Sequence, residues 1–341
     1  MLNNFKQKML SKVFSEIPLC ILEKITYPNL IIPYYHAVSD GEIPHIKHLY
    51  KHKNVNQFKE DIDFIAQNYS PISLRELLDF LKSGAMLPKK ALLLTFDDGF
   101  REIHEVIAPI LLNKGIPATF FLNSAFVDNK VLCYQHKASI LAEQVAKLQN
   151  FIIKNKIIAL FVENGIETFN LESGLLNIKY EKKHVLDEVA VVLNVDFNNY
   201  LKINKPYLTS SQTEELIKNG FTIGAHSIDH PLYMSLSVKE QLHQSLESLK
   251  MIKEKFCLDY GAFAFPHSDF GVSKNFFIEF YDSGLIDISF GTRGMLDDNL
   301  NNHFQRFSLE KPSLSARKII ALNYVRRIYK TTVLQRSIVR V

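Results

Sequence analysis

Cysteine is scarce in this chain, with three in 341 residues. Cys20, Cys133 and Cys257 have no metal-ligand spacing and, being odd in number, cannot all pair, which favours a reducing compartment over a disulfide-stapled secreted scaffold. Long hydrophobic runs are lacking too. No continuous apolar stretch reaches the ~18 residues of a membrane-spanning helix, and mean hydropathy is near zero, so the chain reads as soluble or peripheral. Ile17-Pro18-Leu19-Cys20-Ile21-Leu22 is too short for a secretory signal core, and no small-residue cleavage site follows it. The expected location is therefore cytoplasmic, either free or peripheral at the inner face of the membrane. Acid is absent beyond Glu310, where Lys311, Arg317, Lys318, Arg326, Arg327, Lys330, Arg336 and Arg340 stand unopposed. With Ile319, Ile320, Leu322, Val325 and Ile328 interleaved, this basic tail (311–341) reads either as an amphipathic helix resting on an anionic membrane surface or as a solvated tail. No nucleic-acid motif accompanies the charge, so nucleic acid is not an expected partner.

What is present is a chain that is 47% hydrophobic, enough for one large core. Short apolar runs alternate with amphipathic stretches, the pattern of a mostly parallel β/α fold. Strands are expected at 30–35, 91–96, 118–122, 221–225, 262–265 and 288–290, and capping boxes at Ser73-x-x-Glu76, Ser211-x-x-Glu214 and Ser237-x-x-Glu240 open helices. The last of these helices carries Leu242, Leu246, Leu249, Ile252 and Phe256 as a core-facing stripe.

Two clusters carry chemistry. The run Leu92-Leu93-Leu94-Thr95-Phe96 ends in Asp97-Asp98-Gly99, so a buried strand delivers paired carboxylates to its C-terminal end. One can hold a metal while the other accepts a proton from water, although Asp-Asp-Gly alone would also suit a helix N-cap. After Phe221-Thr222-Ile223, the turn Gly224-Ala225-His226-Ser227-Ile228-Asp229-His230-Pro231 places two imidazoles four residues apart. Two His and one carboxylate leave coordination positions open for water and substrate.

Together these segments resemble the polysaccharide deacetylase (NodB-like, carbohydrate esterase family 4) superfamily, whose first motifs read T-F-D-D-G and H-[ST]-x-x-H. Tyr34-Tyr35-His36-Ala37-Val38-Ser39, Leu87-Pro88, Ile116-Pro117-Ala118-Thr119-Phe120-Phe121 and Ala264-Phe265-Pro266 extend the resemblance. It implies a distorted (β/α) barrel of the NodB type spanning 30–310, after an N-terminal helical segment (1–29). It also implies Asp97 as general base and Asp98, His226 and His230 as ligands of a divalent metal: zinc by default, with iron, cobalt or nickel also suited to these donors. Ser227 is expected to hydrogen-bond within its loop. The two metal motifs lie 128 positions apart (226 minus 98), so about 127–206 is read as a helical insertion, with a periodic stretch at 138–153 and a helix near 184–193, and is assigned to specificity, as a substrate groove or lid rather than a passive helical decoration.

The chain departs from the family pattern where other roles should lie. The expected Arg ahead of Pro-Pro-Tyr is replaced by Phe263-Ala264-Phe265-Pro266-His267, in which the backbone N–H of His267 can still serve an oxyanion. Arg101, Arg293 and Arg306 are candidates to orient Asp97. No Leu-x-His motif is found, which leaves His303 and His267 as candidate acids. The implied activity is metal-dependent hydrolysis of an N-acetyl amide on an amino sugar, in a polysaccharide or, given the location, in a lipid-linked or nucleotide-linked surface-glycan precursor. Two rivals are another metal-dependent C–N hydrolase on the same scaffold and a glycan-binding relative that has lost turnover; the intact Asp97 argues against the second.

Overall fold

In the computed structural model, which describes residues 17–26, 29–333, 338 and 340, the apolar runs become short, buried strands. They are β1 (Leu30–Ile31), β2 (Pro33–Tyr35), β3 (Ser70–Pro71), β4 (Ala91–Leu92), β5 (Thr95–Phe96), β6 (Thr119–Leu122), β7 (Thr222–Ala225), β8 (Ala262–Ala264), β9 (Ile288–Gly291), β10 (His303–Gln305) and β11 (Phe307–Ser308). The main sheet has the order β10-β9-β8-β7-β6-β5-β2-β11, every neighbouring pair parallel. Its two end strands are separated in the chain by Arg306 alone. Arg306 N–H donates to Gly291 O at 3.1 Å on one edge, and Phe307 N–H donates to Ile32 O at 3.2 Å on the other. One stretch of chain thus joins both edges, and the sheet is a nearly closed barrel. Every residue of β6, β7 and β9 is buried, as expected of parallel strands covered on both faces.

The stretches 30–35 and 91–96, expected as single strands, are each divided between two sheets. β1, β4 and β3 form a separate parallel sheet in that order, because barrel closure fixes the tilt of β2 and β5 and their N-terminal extensions splay to new neighbours. The chain 303–308, too polar to read as a strand, is the barrel's closing segment.

The helices are α1 (Leu19–Thr26), α2 (Val55–Asn68), α3 (Leu74–Ser83), α4 (Ala108–Asn113), α5 (Tyr134–Lys147), α6 (Phe151–Glu163), α7 (Leu171–Leu176), α8 (His184–Leu193), α9 (Phe197–Asn204), α10 (Ser210–Lys218), α11 (Val238–Lys255), α12 (Lys274–Asp282) and α13 (Ala316–Ile328). Capping boxes close at Ser73/Glu76 and Ser237/Glu240 as expected. The third forms at Thr209/Gln212, not Ser211/Glu214. Both pairs fit the motif, but Leu208 N–H is tied to Gly99 O at 2.8 Å, which sets where the chain turns into α10.

Between β6 and β7, α5 to α9 pack around Leu141, Val145, Ile157, Phe161, Leu175 and Val189. The stretch 138–153 is two helices, because Asn150 accepts from Ile152 N and Ile153 N and starts α6 afresh. Of the basic tail, α13 buries Ile319, Ile320 and Tyr324 against the barrel's outer helices α1 and α2. The apolar stripe expected to face lipid is therefore mostly spent on the core, while Arg336 lies outside the described residues. Among the described residues no helix is long and apolar enough to cross a membrane.

Candidate active site

The C-terminal ends of β5 and β7 meet at one pocket. Asp97 and Asp98 follow β5, and Asp97 N–H donates to Tyr35 O at 2.9 Å, continuing the ladder into the loop. His226 follows β7 and is anchored by its N–H to Leu122 O at 2.8 Å. Its Nδ1 meets Ala264 O at 2.8 Å, so Nδ1 carries the proton and Nε2 is the free lone pair. That Nε2 lies 3.5 Å from Asp98 Oδ1, and His230 Nε2 lies 3.3 Å from the same atom. Asp98 Oδ1 is buried and has no hydrogen-bond partner. Candidate ligand atoms of Asp98, His226 and His230 all fall within 4.8 Å of one another. A buried, unpartnered carboxylate oxygen between two imidazole lone pairs fits a divalent cation.

Electrostatics agree with that fit. Burial lowers His226 to about 4 and His230 well below the ordinary imidazole range, which keeps both neutral and able to donate lone pairs. Burial, reinforced by the charge of Asp97, pushes Asp98 up to about 7, a cost that a cation would offset. For Asp97, burial acts upward, but its surroundings, led by the charge of Arg306 and reinforced by that residue's hydrogen bonds, hold the carboxyl below its ordinary value.

Of the three candidate arginines, Arg306 is the one that reaches Asp97. Its guanidinium is bidentate, 2.7 Å to Oδ1 and 2.8 Å to Oδ2, with a further bond of 3.1 Å to Thr95 Oγ1. It lies over the rings of Tyr34 and Phe121 and is fully buried. Arg101 instead bonds Asn204 O at the root of the insertion, and Arg293 stacks on Phe270.

The backbone here is held in a rare conformation. Asp98 (φ 69°), Ser227 (φ 69°), His230 (φ 64°) and His267 (φ 54°) all occupy the left-handed region, each at a cost of about 1–3 kcal/mol. The supports are polar. Ser227 Oγ accepts from His230 N at 3.0 Å, Asn123 donates to His226 O, and Ser248 Oγ donates to Ser227 O at 2.7 Å. Gln244 accepts from Ile228 N and donates to Asp229. Hence α11 turns Gln241, Gln244, Ser245 and Ser248 inward beside Leu249 and Ile252, while Leu242 and Leu246 of the expected stripe are only partly buried. Hydrophobic periodicity cannot register a buried face chosen for hydrogen bonding. From the insertion, Tyr180 and Lys183 hold Asp229, and Gln135 touches His230 and His267.

His267 lines the pocket, its ring edge-on to that of His230. His303 does not line it. Its Nδ1 meets Ser289 Oγ at 2.7 Å and its Nε2 meets Asp269 at 3.2 Å, inside a second buried cluster with Asp298 and Arg340. With both nitrogens engaged and the ring buried, His303 is not placed to hand a proton to a leaving group, which corrects its expected role as acid. The residue that sequence reasoning missed is His36, just after β2. Its Nδ1 lies 2.5 Å from Glu310 Oε2, it lines the same pocket as Asp97 and Asp98, and Glu310's charge overcomes burial to raise it to about 10. The Tyr-Tyr-His-Ala-Val-Ser segment was the available signal, but its partner lies 274 residues away.

Residues 84–276 match the family model of the polysaccharide deacetylases, over half of the chain, and the chain belongs to that family. A stretch of 71 residues is 32% identical to the poly-beta-1,6-N-acetyl-D-glucosamine N-deacetylase of Escherichia coli K12, covering 20% of this chain and 11% of that relative. Among solved structures, the Streptococcus pyogenes deacetylase PplD in complex with acetate superposes with TM-score 0.56 at 14% identity, over 85% of this chain and 96% of that one. A de-N-acetylase from Aggregatibacter actinomycetemcomitans gives 0.56 at 16% identity, over 86% and 99%. IcaB from Ammonifex degensii gives 0.52 at 15% identity, over 87% and 97%. At these identities the structural likeness establishes the barrel fold.

Proposed function

We propose that this chain is a metal-dependent deacetylase that hydrolyses the N-acetyl amide of an amino sugar in a polysaccharide or a lipid-linked surface-glycan precursor. The observation that carries this reading is the pairing of two unlike carboxylates: Asp97, held by Arg306, beside Asp98, whose Oδ1 faces His226 and His230. When bound by Asp98, His226 and His230, a divalent ion, zinc by default or iron, cobalt or nickel, supplies the positive charge that polarises the amide carbonyl and acidifies water. Asp97 stays ionised and accepts the proton of the attacking water, with Arg306 fixing which lone pair faces it. The backbone N–H of His267 is the donor for the developing oxyanion. His36, kept protonated by Glu310, delivers a proton to the departing amine. Gln135, Cys133 and Leu176 of the insertion line the same pocket and shape the sugar site. Acetate release from β-1,6-linked N-acetylglucosamine oligomers, before and after chelation and re-addition of zinc, tests the proposal. Metal-restored release is expected. No release from any N-acetylated oligosaccharide by the metal-loaded protein would rule the reading out.

A further inference from the structure

Thr292 lines two cavities. One is the pocket of Asp97 and Asp98; the other, of about 560 Å³, lies between the loops at 268–270 and 292–296 and helix α13. The charged lining of this second cavity is of one sign: Arg293, Lys311, Arg326, Arg327 and Lys330, with no carboxylate among the described residues that line it. Arg327 is balanced by Asp297, at 2.7 and 3.0 Å. Arg293 rests on the face of Phe270, a contact that leaves its positive charge in place. Converging cations repel one another, and a recess that gathers them lowers its energy by taking in a multiply charged oxyanion. The two sites are also coupled mechanically, since Thr292 Oγ1 donates to His267 O at 2.7 Å.

We infer that this cavity binds a phosphoryl group, as phosphodiester or pyrophosphate, carried by the substrate whose N-acetyl sugar lies in the neighbouring pocket. The inference rests on the deacetylase reading for the sugar, but not for the anion. A phospholipid headgroup offers the same oxyanion; the recess and its shared wall with the reaction pocket favour a phosphate on the substrate itself.

The test titrates inorganic pyrophosphate into the full-length protein by calorimetry and repeats it with the double variant Lys311→Glu/Arg326→Glu, both exposed positions whose change should leave the circular dichroism unaltered. Binding that weakens with salt and falls at least tenfold in the variant is expected. In acetate-release assays the variant should match wild type on a neutral N-acetylglucosamine oligomer, and its KM should rise at least tenfold, with kcat kept, on an oligomer bearing a terminal pyrophosphate. Undetectable pyrophosphate binding, or binding indifferent to the two reversals, as at a metal, overturns the proposal. So does binding of phosphatidylglycerol vesicles that needs Lys311 and Arg326 while phosphorylated and neutral oligomers are processed alike, which would make the face a membrane contact. If wild type deacetylates nothing, the titration alone decides the cavity.

Discussion

Two buried clusters in this molecule contain the same kinds of residue and have opposite natures. Asp98, His226 and His230 form one; Asp269, Asp298 and His303 form the other, and each brings its candidate ligand atoms within 4.8 Å of one another. In the second, the centre is filled. Arg340 reaches both Asp269 and Asp298, Gln305 donates to both, and His303 is held by Ser289 and Asp269. In the first, Asp98 Oδ1 is left without a hydrogen bond, and the arginine of the neighbourhood, Arg306, is committed to Asp97. Proximity of acids and histidines does not make a metal site. Unspent lone pairs do, and where a guanidinium already sits the same residues make a structural brace.

That brace has a purpose in the other cluster. Asp269 accepts from Thr292 N at 3.3 Å, and Gly291 has no Cβ because one would sit 2.4 Å from Asp269 Oδ1. The second cluster thus fixes the 266–270 loop, and with it His267. On the proposed function the two clusters are a reactive centre and its scaffold.

The largest expected effect breaks the first cluster. His226→Ala should lose the metal and all acetate release while its circular dichroism stays native, with metal content by atomic emission falling from about one ion per chain to none. A wild-type content near two would mean that the second cluster also binds metal and would end the distinction drawn above. Asp97→Asn should keep that single ion and lose a factor on the order of 10² in kcat, because an amide cannot accept the proton; near-normal turnover would assign the base elsewhere. Arg340→Met attacks only the scaffold. It leaves two buried carboxylates uncompensated and should lower stability to urea by about 3–5 kcal/mol with metal content unchanged; a neutral effect would show that the brace is dispensable. The smallest effect sharpens the role of His36. Glu310's charge holds the imidazole up to about 10 against burial, so the protonated form persists through neutrality and is lost as pH rises through that value. Glu310→Gln should shift the alkaline limb of the activity profile to lower pH and leave the acidic limb, set by the depressed Asp97, in place. An unmoved alkaline limb would remove His36 as proton donor.

The legible part of the site was local in the chain. Asp97-Asp98-Gly99 and His226-x-x-x-His230 each follow a run apolar enough to be a buried strand, and parallel strands place such followers on one rim of the barrel. Three helix starts were readable because a capping box is satisfied within four residues, and the one that slipped did so by two positions, where a tie to Gly99 decided between two valid boxes. Composition and alternation were enough for the β/α class, since both follow from which residues leave water.

What only the tertiary structure decided were the partnerships of long range. Arg306 meets Asp97 across 209 residues and Glu310 meets His36 across 274, and neither pair leaves a spacing that sequence alone can show. The same holds for His303, which looked like a catalytic histidine and is a brace, and for Ile319 and Ile320 of α13, whose apolar side chains suit lipid or core equally until a core is there to receive them. An ionisable side chain announces what chemistry it can do; burial and the partner set beside it by barrel closure determine whether that chemistry is spent on structure or kept for reaction.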